Sequence, residues 1–356
     1  MQIQREIEQP LIDLIVSVTG ASSILSQTTI QSLWSGYGQI VRLHLNSQNT
    51  VQNPAKLYDD NQTASSVILK HIRLPERTRH PRGWNTDWSH QRKVRSYQVE
   101  AHWYQHYAQN CDRSCIVPSC LAVQSNENET ILVLTDLDAL GFSERKTQVE
   151  SQDIHSCLKW LANFHATFLN KETHGLWECG TYWHLDTRPD ELAALNDEIL
   201  RQAAPLIDQK LKQCEFQTLV HGDAKLANFC FKADWSESTN TPKVAAVDFQ
   251  YVGKGCGMKD VAYFLGSCLY EDECEHMEAE LLDSYFSELC EQVALRQQHV
   301  NVDHLEAEWR AMYPLAWADF HRFIKGWSPG HWKINSYSER LTAQVIASLD
   351  NNNSII

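Results

Sequence analysis

A chain of 356 residues, 43% of them hydrophobic, has room for one large or two medium domains with sizeable cores, which excludes a disordered chain. Its formal net charge of −14 argues against binding nucleic acid or an anionic membrane surface. An acidic balance suits a cationic substrate and is equally common in soluble cytoplasmic proteins. The start, MQIQREIEQP, is polar, with no secretory signal, and LIDLIVSV is short and broken by Asp13. No stretch approaches the roughly 20 apolar residues of a membrane span. The 11 cysteines are odd in number and scattered, which reads as reduced thiols in a cytoplasmic protein. The tightest cluster, Cys111, Cys115 and Cys120, lacks the paired C-x-x-C spacing of a zinc site.

In chain order, residues 37–44, YGQIVRLH, alternate like a strand. The polar run 46–65 reads as a long exposed connection, and SSVILKHIRL at 65–74 is a β-branched, buried strand. Residues 75–92, with Pro75, Pro81, Gly83 and many charges, read as a loop. A helical pattern starts near Tyr97, with Val99, Trp103 and Tyr107 spaced by four, and ILVLT at 131–135 is another buried strand. Beyond residue 141 the period is helical. Ile154, Leu158, Leu161, His165 and Phe168 share one face, as do Trp309, Tyr313, Ala316, Phe320, Phe323 and Trp327. A strand-rich part, 1–137, therefore precedes a helix-rich part, 138–356, and the Asn351–Ser354 tail is expected to fray.

The chemistry concentrates in HGDAKLANF, residues 221–229, a polar turn wedged between the apolar runs TLV and CF. Asp, Lys and Asn are costly there unless they pair or hold a ligand. Asp223 and Asn228 have the spacing of the H-R-D-x-x-x-x-N catalytic loop of protein kinases, where the Asp receives the hydroxyl proton and the Asn helps hold Mg²⁺. Twenty residues after Asn228 comes AAVDFQ, an apolar strand ending in Asp248, where the second metal-binding carboxylate would sit. Phosphoryl transfer needs such hard oxygen ligands because the γ-phosphate carries dense negative charge.

The chain resembles the aminoglycoside phosphotransferase and choline kinase superfamily, and within it the ecdysteroid-kinase-like branch. The resemblance rests on LVHGDAKLANFCF, AAVDFQYVGKGCGMKDVAYFL, LVLTDL and the helix ending LANFHA, and it covers most of residues 30–330. It implies an α+β, protein-kinase-like two-lobed fold, with a small β-rich N-terminal lobe and a larger, mainly helical C-terminal lobe. It implies ATP and Mg²⁺ as cofactors, Asp223 as catalytic base, and Asn228 and Asp248 as metal ligands. Lys225 would touch the γ-phosphate, and His221 and Asp260 would brace the loop. SSVILK resembles V-A-I-K, so Lys70 would contact the α/β-phosphates and pair with Glu100; otherwise Lys70 is an ordinary strand-end lysine and Glu100 a solvated helix residue. SGYGQIV offers Gly36 and Gly38 as a glycine loop that lacks its third glycine, and the adenine would lie against Thr135 to Leu137. DFQ in place of D-F-G matches the ecdysteroid-kinase-like branch and argues against a mobile activation loop.

The expected activity is ATP-dependent phosphorylation of a hydroxyl on a small molecule, with choline-like, aminoglycoside-like and steroid-like alcohols all open and the oligomeric state unknown. A protein side-chain kinase is the first alternative, disfavoured because no A-P-E-type signature follows DFQ. A catalytically silent nucleotide-binding interaction module is the second, disfavoured by the intact Lys70, Asp223, Asn228 and Asp248. The aromatic segment 317–337 either packs as core or cages a cationic acceptor; Trp327 and Trp332, flanking Ser328-Pro329-Gly330, are the pocket candidates.

Overall fold

The computed structural model describes residues 8–33, 36–46, 65–73, 87–126, 128–236 and 243–353. Two units partition the chain, the first formed by residues 1–144 and 230–246, the second by 145–229 and 247–356.

The first unit opens with helix α1 (Gln9–Thr19), started by Pro10 in its first turn and ended by Gly20 in the left-handed region. Strands β1 (Ser23–Ser32), β2 (Gly38–Asn46) and β3 (Ser66–Arg73) follow, then helix α2 (Asp87–His106) and strands β4 (Cys120–Ser125) and β5 (Glu129–Thr135). The strands form one antiparallel sheet in the order β1-β2-β3-β5-β4. Alternation decides its faces. Val41, Leu43, Val67, Leu69 and Val133 pack against Leu11 and Ile15 of α1. The intervening Ile72 packs on the other face with Leu33, Tyr37 and Tyr97. Lys70 shares that second face by parity, in register between Ile40 and Leu132.

Three sequence expectations are corrected here. Helix α2 begins at Asp87, ten residues before Tyr97, because its first half is polar and the apolar stripe starts only later; the expected loop therefore loses residues 87–92, and its remainder lies outside the described residues. Strand β1 was not expected, since an edge strand exposed along most of its length carries no buried alternation. The Asn351–Asn353 tail continues the last helix instead of fraying.

The second unit is helical. It contains α3 (Ser151–Phe168), α4 (Pro189–Ala193) and α5 (Glu198–Gln213), and then strand β6 (Thr218–Val220). Strands β7 (Phe229–Phe231) and β8 (Val244–Ala246) pair as a small two-stranded sheet, and residues 230–246 count with the first unit. Strand β9 (Gly253–Gly255) pairs with β6. Helices α6 (Met258–Cys268), α7 (Glu271–Arg296), α8 (Val302–Trp327) and α9 (Ser336–Asn353) complete it, with α3 against α7 and α8 between α6 and α9. Both one-sided helical stripes beyond residue 141 read from the sequence are buried, apart from Trp327 at the end of α8. No helix among the described residues is long and apolar enough to cross a membrane.

The fold is thus α+β, with a β-rich first unit and a mainly helical second unit.

Candidate active site

The loop between β6 and β7 is held by buried groups on both sides. The backbone N–H groups of His221 and Gly222 donate to the Asp260 carboxylate at 2.5 and 2.9 Å, and Asp260 also meets His165 Nε2 at 3.2 Å. Asp223 N–H donates to His221 Nδ1 at 3.3 Å, so Nε2 carries the proton and donates to the Val247 carbonyl at 3.0 Å. Gly222 has φ +80°, and a Cβ there would lie 2.1 Å from the Tyr251 carbonyl oxygen. Only glycine fits this turn.

That scaffold presents Asp223, 7% exposed. Its Oδ2 accepts from Lys225 Nζ at 2.9 Å and from Asn228 Nδ2 at 3.1 Å, and its Oδ1 accepts from the Tyr263 hydroxyl at 3.1 Å. Asn228 Nδ2 also reaches the Asp223 carbonyl at 2.8 Å, which leaves Oδ1 as the Asn228 atom for another ligand. The Asp223 pKa is raised, first by burial and also by the negative charge of Asp248, against the opposing pull of Lys225. Burial works against the Lys225 charge, but Asp223 and Asp248 together hold its pKa up.

Asp248 arrives from the next strand. Val247 N–H donates to the Asn228 carbonyl at 3.0 Å, tying the two segments together. Asp248 sits at φ +71°, a conformation Asp tolerates better than most residues. Its Oδ1 accepts from the Gln250 side-chain amide at 2.7 Å, while Trp177 Nε1 donates to the Gln250 carbonyl at 2.8 Å. The second unit therefore brings Asp223, Lys225, Asn228 and Asp248 together. The Asp248 carboxylate and the Asn228 amide oxygen are hard-oxygen donors of the kind that suits a divalent cation such as Mg²⁺.

In the first unit, Lys70 Nζ donates to both oxygens of Glu100 at 2.8 and 2.6 Å, both side chains being buried. Sheet parity sends Lys70 toward α2, where Glu100 meets it. Gly36 lies at φ +77°; Gly38 lies at φ +135°, where a Cβ would come within 2.0 Å of the His71 carbonyl oxygen. Thr135 exchanges backbone and hydroxyl bonds with Ser119 at 3.0 and 2.9 Å, and the buried Leu137 accepts at its carbonyl from Leu140 and Phe142.

A cavity of about 340 Å³ opens beside Asp223 and Lys225, lined also by Tyr182, Tyr251, Tyr263, Phe320, Trp327 and Lys333. Trp327 is in its wall. Trp332 is not among the lining residues; it is 50% exposed and packs on Tyr270 with ring centroids 5.4 Å apart. Sequence reasoning missed Tyr263, Lys333 and the Gln250 clamp. Tyr263 stands three residues after Asp260 on α6, a spacing that puts both on the face turned to the loop. Lys333 carried no signal beyond its place in the aromatic segment.

A second polar cluster lies deeper in the same unit. Cys179, His184 and Asp208 each place one ligand atom within 4.8 Å of the others. The Lys259 ammonium stands 3.6 Å from Cys179 Sγ and 3.4 Å from Asp319 Oδ2, and Arg322 donates to Asp319 Oδ1 at 2.9 Å. Lysine and arginine already supply the cations this cluster needs, so it reads as a buried ionic support beneath α6 and α8.

Several solved structures are similar in outline. A choline kinase from Cryptosporidium parvum is 12% identical with TM-score 0.47, covering 96% of each chain. A microcompartment-associated aminopropanol kinase is 12% identical with TM-score 0.46, covering 95% of this chain and 94% of its own. An aminoglycoside 2'-phosphotransferase in complex with GDP is 10% identical with TM-score 0.45, covering 98% of each chain. No curated protein matches the sequence. The model of the ecdysteroid kinase-like family matches residues 55–175 and 168–298, more than half of the chain, and the protein therefore belongs to the ecdysteroid kinase-like family.

Proposed function

We propose that this protein is an ATP-dependent phosphotransferase that phosphorylates a hydroxyl group of a small molecule. The observation that carries this reading is the buried Asp223 carboxylate, polarised by Lys225, Asn228 and Tyr263 and facing a cavity of ligand size. Family membership supports the same reaction class.

Asp223 is the base in this reading. Its Oδ1 has one partner, Tyr263, and keeps a lone pair for the acceptor O–H. Its raised pKa strengthens it as a proton acceptor. Asn228 and Asp248 would hold Mg²⁺, which when bound neutralises charge on the nucleotide phosphates. Lys225, bonded to Asp223, would touch the transferred γ-phosphate. Lys70, oriented by Glu100, would take the α/β-phosphates, Gly36 and Gly38 would let the backbone approach them, and the segment from Thr135 to Leu137 would border the adenine.

Among the three alcohol classes, the cavity favours an uncharged body over a cation. Its wall is aromatic and carries the ammonium groups of Lys225 and Lys333, with Asp223 as the one carboxylate among the described lining residues. A cationic choline-like or aminoglycoside-like acceptor would meet like charge there. The test is ADP formation with Mg²⁺ across a panel of small alcohols, run with wild type and Asp223→Asn. Acceptor-dependent ADP release lost in the variant supports the reading. Mg·ATP binding without turnover on any alcohol would favour the silent module instead.

A further inference from the structure

Lys333 stands in the loop between α8 and α9 and lines the same cavity. Its Nζ lies 5.0 Å from the centroid of the Tyr263 ring, 5.3 Å from Phe320 and 5.7 Å from Trp332. Among the described residues it forms no ion pair. Three aromatic faces soften the loss of hydration but do not replace a counter-anion. Burial first, and Lys225 besides, depress its pKa to about 8, against the pull of Cys268 and Asp223. Asp223, the one carboxylate among the described lining residues, is already bonded to Lys225, Asn228 and Tyr263. His331, also in the wall, has its pKa lowered by burial and by Lys333. So in a chain of net charge −14, the described residues of this cavity wall carry an excess of positive charge.

Tyr263 touches both polar groups, Asp223 and Lys333. Its hydroxyl holds Asp223 Oδ1, and its ring face lies under the Lys333 ammonium. A molecule whose hydroxyl meets Asp223 would have the Tyr263 and Phe320 rings and the Lys333 ammonium in the wall of the same cavity.

We propose, on the basis of the phosphotransferase reading above, that the acceptor is an anionic hydroxy compound, whose hydroxyl meets Asp223 and whose oxyanion, a carboxylate, sulfate or phosphate, pairs with Lys333. The pairing supplies the counter-charge that the fold withholds from this lysine. The aromatic wall takes the apolar body between the two groups.

Matched probes test this by calorimetry, in protein alone and in protein loaded with Mg²⁺ and a non-hydrolysable ATP analogue. The probes are 4-(hydroxymethyl)benzoate, its carboxamide, the corresponding benzylamine, and the 4-(hydroxymethyl)phenyl sulfate and phosphate. A charge-assisted bond at Lys333 makes the best oxyanion bind about 10- to 100-fold tighter than the amide, with the amine weakest. The sulfate and phosphate arms show which oxyanion fits. Lys333→Met should abolish the preference while leaving the amide affinity within about twofold, and Lys333→Arg should keep most of it. Equal binding of acid and amide, preference for the amine, or no oxyanion binding at about 10 mM overturns the inference. So does a preference that survives Lys333→Met. Loss of nucleotide affinity in Lys333→Met with an unchanged probe preference would assign the lysine to the nucleotide and likewise overturn it. Failure of the analogue to bind wild type would sink the phosphotransferase reading separately, since probe preference is also measured without nucleotide.

Discussion

Gln250 donates from its side-chain amide to Asp248 Oδ1 at 2.7 Å, so the residue that replaces the glycine of D-F-G holds the carboxylate of that motif. Asp248 is itself at φ +71°, and Trp177 Nε1 fixes the Gln250 backbone. The glutamine therefore acts as a clamp where glycine would act as a hinge. Gln250→Gly removes a charge-assisted bond worth about 1.5–3 kcal/mol and adds backbone freedom. The expected outcome is about tenfold weaker Mg·ATP binding by calorimetry. Unchanged or tighter binding would show that the amide does not organise Asp248.

Asp223→Asn keeps the shape of the side chain and removes its basicity. Turnover on the true acceptor should fall by about 10²–10⁴, while Mg·ATP binding persists. Asp248→Asn should lower both, because it removes a metal-binding charge. Near-normal turnover in Asp223→Asn would reassign the base.

Lys70→Met leaves Glu100, 2% exposed, with its paired cation gone. Breaking a buried pair from one side costs about 3–5 kcal/mol, more than the pair itself contributes. Urea unfolding should show that loss, and the double variant Lys70→Met/Glu100→Leu should recover part of it. A cost below about 1 kcal/mol would mean that solvent reaches the pair in solution.

Lys333 is held at a cost to stability. Its ordinary pKa of 10.5 falls to about 8 in the folded chain, burial being the first cause. Between those two values the folded chain binds fewer protons than the unfolded chain, so stability rises with pH across that window. At neutral pH, where the lysine is charged in both states, the penalty is fully present. Lys333→Met should therefore stabilise the protein at pH 7 by about 2 kcal/mol after allowance for screening, and the gain should shrink as pH rises from about 8 to 10.5. Thermal unfolding of both proteins across that range checks it; a variant less stable at pH 7 would contradict the pKa assignment.

Local spacing determined the centre of the site. Asp223, Lys225 and Asn228 fall within six residues, and a turn that short leaves their side chains no choice but to converge. Asp248 was legible because a short strand pair returns the chain to the same place, sealed by the Val247 to Asn228 bond. Alternation in SSVILK likewise settled that Lys70 leaves the sheet on a different face from Val67 and Leu69. The resemblance named Glu100 as the partner of Lys70, but the spacing alone left it open as a solvated helix residue, and the tertiary structure decided that the pair is made and buried. It also decided the acceptor side. Tyr263 and Lys333 lie 40 and 110 positions beyond Asp223, and only the packing of α6 and the loop after α8 makes them line one cavity with it. Hydrophobic periodicity tells which face of a helix is buried. It says nothing about which polar side chain the packing of two such faces carries to their edge, and the chemistry of the acceptor is set at that edge.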